Sequence, residues 1–417
     1  MIVNGPYVVR SAEIKGKDVK ITADFNQTTT VEVLGTPSSA KNLFINGKKV
    51  RHTVDKDGVW STGVDFSFPG FKAPDFKQLE WDYVNSLPEI KTGYDDSAWT
   101  DADVEKTFND YRNQTTPTSL FSGDYGYHSG ILLYRGHFKA DGSETSIKLW
   151  TQGGWAFASS VWLDDKYLGS ASGSARTSDN NSTWTFPAAL SAGSEHVLTI
   201  VLDNQGYELN PFVGQDEMKQ PRGILDYTLS GRDADAITWK LTGNLGGEDY
   251  QDRTRGLSNE GGTFVERQGY HQPRPPTHER GWSKRNPITT GVSEPGIGFF
   301  ATSFDLNLPR GWDVPLYFTF ANSTAPPAQY RAQLFVNGYN FGRYVNQIGP
   351  QKAFHVPEGI LNHRGKNWVG LTVWSQQEEG TVKLDGLTLE AKMPVLTGYG
   401  KVETVPQPSF KRRRNAY

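Results

Sequence analysis

The sequence predicts an all-β protein, with a small β-sandwich followed by two related jelly-roll sandwiches. Three observations lead there. Leu334 to Gly342 reads LFVNGYNFG, with apolar and polar residues alternating on both sides of Asn337-Gly338. An Asn-Gly pair between alternating runs signals a hairpin, because a two-residue type I′ turn needs positive φ at both positions. The same block recurs earlier as VWLDDKYLG, with Leu163 and Gly169 matching Val336 and Gly342 at an offset of 173. Downstream, Val197 and Val201 align with Val369 and Val373 at an offset of 172, which makes a duplication of a whole sandwich the economical reading. Finally, the chain carries Trp 12, Tyr 18, Phe 22, Gly 44 and Pro 23, a profile of many short strands and turns rather than long helices.

Taken in order, residues 1–78 form the small sandwich. VKITADF, TTTVEVLG and LFINGKKV alternate with period two, and GKD, GTPSS and DKDG supply turns. LFINGKKV, Leu43 to Val50, is a weaker third copy of the hairpin block. A Pro- and Phe-rich linker follows at Phe66 to Phe76. The first jelly roll is assigned to 79–215, opening with a docking segment in which Asp95 and Asp96 cap a short helical turn. Its strands are GILLYRGHF, TSIKLWT, SSVWLDD and HVLTIVLDN. Glu208 to Gly231 bridges to the second jelly roll, 216–398, which holds a long irregular insertion at 244–289. Its strands are IGFFATSFDL, PLYFTFA, YRAQLFVNG and NWVGLTVWSQ. Residues 399–417 are a tail ending KRRRNAY, read as a solvated terminus.

At 417 residues the chain has room for two to four domains. It has no cysteine, so disulfides, thiolate metal sites and cysteine nucleophiles are excluded. A net charge of −3 gives no sign of a general nucleic-acid binder. No apolar run is long enough to span a bilayer, so no membrane partner is expected. MIVNGPYVVRSAEIKGK lacks the basic and apolar regions of a signal peptide. N-x-Ser/Thr glycosylation acceptors stand at Asn26, Asn113, Asn180, Asn181 and Asn322, conditional on secretion.

Glycoside hydrolysis with retention needs two carboxyl groups about 5 Å apart on rigid supports. No such pair is indicated. Glu266, in TFVERQGYHQP, is the best-placed single carboxylate and reads as a loop residue paired with a nearby Arg. His278-Glu279 lacks the second His of a zinc protease motif, and no phosphate loop, serine elbow or dinucleotide fingerprint occurs, so no cofactor or metal is expected. His128 and His137 are read as structural rather than as ligands, and Asp179-Asn180-Asn181 as a polar loop rather than a calcium site. Trp155, following two glycines in TQGGWAF, and Tyr339, at the hairpin tip, are the candidates for stacking on a sugar face.

Several long blocks then carry a resemblance. They are LEWDYVNSLPEI, GYDDSAW, DYGYHSGILLYRGHF, MKQPRGILDYTLSG, ERQGYHQPRPP and QIGPQKAFHVPEGILNHRGKNWVGLTVW. Together the chain resembles the trailing, non-catalytic domains of the large fungal β-galactosidases of glycoside hydrolase family 35. The resemblance implies galactose-binding-domain-like jelly rolls and an extracellular setting. It implies a catalytic barrel elsewhere, carrying both catalytic glutamates of a retaining mechanism on terminal β-galactosyl residues, so no catalytic residue falls on this chain. The expected role is structural, with the barrel half as partner. A module for galactose-containing glycans is the alternative, and an unrecognised hydrolase site within 244–289 is the third reading.

Overall fold

The computed structural model describes residues 1–209, 212–214, 217–244, 262–323, 326–400 and 402–406. The expected insertion therefore lies partly, and the KRRR tail wholly, outside the described residues. Regular secondary structure among the described residues is almost entirely strand. No helix in it is long and apolar enough to cross a membrane.

The first sandwich has β1 (Ile2–Asn4), β2 (Val8–Lys15), β3 (Asp18–Asp24), β4 (Thr29–Leu34), β5 (Asn42–Ile45), β6 (Lys48–Val50), β7 (Thr53–Val54) and β8 (Trp60–Val64). One sheet runs β1-β4-β8-β7 and the other β2-β3-β5-β6. Alternation puts Val19, Ile21 and Ala23 of β3 against Val31 and Val33 of β4 in a core closed by Trp60. Asn46 and Gly47 take φ of 51° and 75°, the turn that Asn-Gly predicts.

The linker does not hang free. Phe76 is buried in the core of the last sandwich, and Phe66 and Phe68 meet the Trp312 ring edge-on at 5.0 and 5.1 Å. It is a strap across the far end of the molecule.

The strands of the first jelly roll and its approach are β9 (Asp82–Asn85), β10 (Thr100–Asp101), β11 (Gly130–Lys139), β12 (Ser146–Gln152), β13 (Ser159–Leu163), β14 (Lys166–Ala171), β15 (Asp179–Thr185), β16 (Glu195–Asn204), β17 (Gly223–Leu229) and β18 (Thr238–Thr242). Those of the second are β19 (Ser283–Lys284), β20 (Gly296–Asn307), β21 (Trp312–Asp313), β22 (Leu316–Phe320), β23 (Tyr330–Val336), β24 (Tyr339–Val345), β25 (Ala353–Val356), β26 (Arg364–Ser375), β27 (Leu387–Ala391) and β28 (Val395–Leu396). The six-stranded sheets run β10-β18-β11-β16-β13-β14 and β19-β9-β20-β26-β23-β24, and the three-stranded sheets β15-β12-β17 and β25-β22-β27. The two rolls are copies of one arrangement, as the repeated block predicts.

The pairing moves two of the expected boundaries. β9 follows the first sandwich in sequence, yet it pairs with β20 and β19 of the second roll. β17 and β18, expected in the second roll and its bridge, pair with β12 and β11 of the first. The chain thus lays down a strand of the last sandwich before it builds the middle one. Asp95-Asp96 sits in a turn rather than a helix, with Asp95 accepting the Ser97 N–H, and the short 3₁₀ turn lies at Pro88–Ile90 instead.

The repeat also has a register that identity matching misses. Ile200 and Leu202 face the first core, and Leu371 and Val373 the second. Each pair occupies the same ladder position, opposite Val161 and Ser159 in one roll and Leu334 and Ala332 in the other. That fixes the β16–β26 offset at 171, whereas the hairpin keeps 173. Val201 points out of its roll and Val373 points in, so the two are not equivalent.

Candidate functional site

The outward faces of the two six-stranded sheets pack on each other. Ile131, Leu133, Trp162 and Val201 of the first roll join Ile297 and Trp374 of the second in one buried cluster. Strands buried on both faces lose the polar half of the usual alternation. A charged group sits inside this cluster. Arg331 of β23 donates to Asp203 of β16 at 2.7 Å, and Arg343 of β24 reaches the other oxygen at 3.1 Å. The Arg331 fork also donates to the carbonyls of Ala156, Phe157 and Ser172 at 2.6, 2.9 and 3.2 Å. A planar guanidinium meets such a ring of acceptors where an ammonium would not. The loop it grips has no room for a side chain at Gly173, whose φ is +72° and whose Cβ would fall 2.0 Å from the Phe157 oxygen. Trp374 Nε1 donates to Ser160 Oγ at 3.0 Å. Burial lifts the Tyr167 phenol to about 12, so it remains a donor to the Gln376 carbonyl at 3.3 Å.

The single carboxylate singled out in sequence belongs to this framework too. Glu266 is not in a loop. It is the third residue of a short helix, α1 (Phe264–Gln268), where it closes a capping box with Thr263 and accepts the Thr263 hydroxyl at 2.7 Å. The neighbouring Arg267 pairs with Glu89, both side chains being fully enclosed.

The other predicted residues are dispersed. Trp155 is 50% exposed on the first roll, its N–H held by Glu208, which pairs with Arg222 at 3.2 Å. Tyr339 lies on the second roll and donates its hydroxyl to the Pro406 carbonyl at 2.7 Å. The structure does not bring the two together in one site. Asn26, Asn113, Asn181 and Asn322 are exposed, and Asn180 is half-buried. Asp179-Asn180-Asn181 is the start of strand β15, paired with β12, and not a loop; Asp179 accepts Trp150 Nε1 at 2.8 Å. His128 faces the Tyr207 hydroxyl at 3.3 Å. His278 and Glu279 are exposed neighbours. Among the described residues no group of three metal-ligating side chains converges.

His137 and Arg135 both hold Asp96, at 2.7 and 2.5 Å. Burial alone would raise this carboxyl, but the two bases outweigh it and keep it below the ordinary aspartate value. A depressed folded value gives stability that is present above the unfolded pKa and is lost as pH falls through the folded one. Asp96→Asn will therefore cost stability at neutral pH, and the gap to the parent will narrow below about pH 4. Urea midpoints across pH 3 to 7 measure it; a gap that stays constant with pH would contradict the assignment.

One carboxyl pair, Asp313 with Glu358, stands beside a cavity of about 130 Å³ that His355 and His363 also line. Partial burial and the Asp313 carboxyl, within hydrogen-bonding contact, raise Glu358 above its ordinary value. Two carboxyl groups in hydrogen-bonding contact leave no gap of about 5 Å for an anomeric carbon between them. Sequence reasoning missed the residues that do converge: Arg331, Asp203 and Arg343. The available signal was an arginine inside YRAQLFV, a strand buried at every position.

The domain family described as Beta-galactosidase second all-beta domain matches residues 94–208 and 264–379, one segment in each roll. Beta-galactosidase, domain 3, matches residues 1–61, the first sandwich. The whole chain aligns with Beta-galactosidase A of Aspergillus niger at 55% identity, covering 100% of this chain and 41% of that one. The proteins of the same name from Aspergillus oryzae and a Penicillium species align at 54% and 52% identity, again over 100% of this chain and 41% of theirs. A glycosyl hydrolase family 2 member from Bacteroides cellulosilyticus superposes over 74% of this chain and 31% of that one, with 13% identity and a TM-score of 0.21, too loosely to bear on the fold. The chain thus spans 41% of the length of the relatives it matches, and with the second all-β domain of β-galactosidases matching both jelly rolls and domain 3 matching the first sandwich, it belongs to the β-galactosidase family, as a set of that family's β-sandwich domains.

Proposed function

We propose that this chain is the structural half of a secreted family 35 β-galactosidase, in which a separate barrel hydrolyses terminal β-galactosyl residues. The observation that carries the reading is the alignment of every residue here with 41% of each relative. The interior supports it, because the buried charges of Arg331, Arg343 and Asp203 are spent on joining the two rolls. The surface supports it as well. Phe108 is 82% exposed, and Leu209, Phe212 and Val213 are 87%, 68% and 107% exposed. Asn109 donates to the Lys219 carbonyl at 2.7 Å, which ties the Phe108 loop to Lys219. Large exposed apolar groups suit a protein neighbour. Secretion fits the exposed acceptors at Asn26, Asn113, Asn181 and Asn322.

The test is a chromogenic β-galactoside assay on the chain alone and on the chain co-expressed with the barrel portion of a relative. The chain alone will show no turnover, and co-expression will increase its soluble yield. Turnover by the lone chain that a single Glu→Gln change removes would overturn the proposal.

A second reading, a module for galactose-containing glycans, rests on Trp155, which is 50% exposed with its backbone N–H held by Glu208. Galactan should quench tryptophan fluorescence in the parent and not in Trp155→Ala. No response at millimolar sugar ends that reading.

A further inference from the structure

Two cavities meet where the end of the second roll turns back toward the first sandwich. The larger is about 700 Å³, lined by Arg310, Trp312, His363, Arg364 and Tyr399. The smaller is about 460 Å³, lined by Arg274, Tyr339, Lys366 and Trp368. Both are also lined by Asn362 and Thr404, so they are two lobes of one cleft. The larger lobe alone is of a size that holds a small oligosaccharide.

The chemistry of the walls is one-sided. Among the described residues, neither lobe is lined by an Asp or a Glu. Asp313 and Glu358 line the adjoining cavity described above, which shares His363 with the larger lobe. The chain as a whole carries a net charge of −3, so this collection of cations is local. Aromatic rings accompany the cations in both lobes. Trp312 is fixed by the edges of Phe66 and Phe68. Tyr399 is 59% exposed, with the Arg10 guanidinium 5.1 Å from its ring centre. Rings offer apolar platforms to the carbon faces of sugars, and guanidinium forks match carboxylates and sulfates.

We propose that this cleft binds an anionic sugar chain, one carrying carboxylate or sulfate groups, with Trp312 and Tyr399 under the rings and Arg310 and Arg364 on the anionic groups. The site is distinct from Trp155 and does not depend on docking of a barrel. A β-galactosidase that held an acidic glycan here would be kept beside neutral galactosyl branches carried on the same polymer.

Calorimetric titration of the intact chain tests it with four probes: an oligogalacturonate, a sulfated galactan oligosaccharide, a neutral β-galactan oligosaccharide, and polyglutamate of matched charge. At least one acidic sugar will bind, more weakly as salt rises, and neither control will match it. Arg310→Glu with Arg364→Glu will weaken binding by about tenfold or more, and the double Lys variant will retain part of it. Tyr399→Ala, at an exposed position, will weaken it by about threefold to tenfold. Which acidic probe binds separates uronate from sulfate recognition. Equal binding of neutral galactan or of polyglutamate overturns the proposal, and so does binding that survives the double Glu variant or no binding of either acidic sugar. None of these outcomes bears on the barrel-docking test, which reads turnover and soluble yield.

Discussion

Arg331→Met will lower the unfolding free energy by about 3–5 kcal/mol and separate the two jelly rolls. Its partner Asp203 is 1% exposed and cannot recover water when the guanidinium is gone. Arg343 remains at 3.1 Å, but it is at the edge of the contact and also serves Gln205 at 2.8 Å. The carbonyls of Ala156, Phe157 and Ser172 lose their shared donor at the same time. An unpaired buried charge costs more than the net value of the pair it came from. The expected calorimetric trace changes from one cooperative transition to two, because the remaining contacts between rolls are mainly apolar and each roll has its own core. Arg331→Met with Asp203→Leu should recover much of the loss, since replacing both members of a buried pair is often close to neutral. A loss under about 1 kcal/mol in the single variant would mean that this interface does not depend on its charges.

The duplication was legible because turn chemistry and strand alternation do not depend on distant contacts. Asn337-Gly338 was read as a turn with both residues at positive φ, and they take 48° and 87°. The phase between copies was not legible. β16 and β26 are covered by a roll core on one face and by the other roll on the opposite face. Valines stand on both faces, so matching Val201 to Val373 put an outward residue on an inward one. A strand with one wet face would have shown the slip at once. The exchange of β9 was hidden for another reason. Asp82–Asn85 is four residues long, too short for periodicity, and its partner β20 lies more than two hundred residues away. Glu266 was misplaced because TFVERQ reads equally as a strand end and as a capping box. Only the Thr263 contact decides between them. The basic cleft was missed because Arg310, Arg364 and Tyr399 come from distant parts of the chain and share no spacing.

Asn337→Ala will cost about 3–5 kcal/mol, a large effect for one turn residue. Alanine at a φ of 48° forfeits about 1–2 kcal/mol that asparagine, with its local hydrogen bonding, largely escapes. The amide also ties three segments. Its nitrogen donates to the Ile360 carbonyl at 2.7 Å and to Asn367 Oδ1 at 2.9 Å, and its oxygen accepts the Trp368 N–H at 2.8 Å. Asn337 is 7% and Asn367 is 0% exposed, so those partners are left without water. The other hairpins use the same device with fewer bonds. Asn46 exchanges two bonds with the backbone of Ala23, each 2.9 Å. Asp164 accepts the Val197 N–H at 3.0 Å and pairs with His196 at 2.8 Å, with a quarter of its side chain in solvent. If the turn side chain locks each hairpin to a neighbouring segment, the alanine variants will rank Asn337, Asn46, Asp164 in decreasing cost. Asn337→Asp tests the bonding separately from the backbone. It keeps an acceptor for Trp368 and tolerates the turn, but it sets a carboxylate against the oxygens of Ile360 and Asn367. It should therefore remain clearly destabilised in denaturant titrations. Equal costs at all three turns would reduce the side-chain lock to a backbone effect alone.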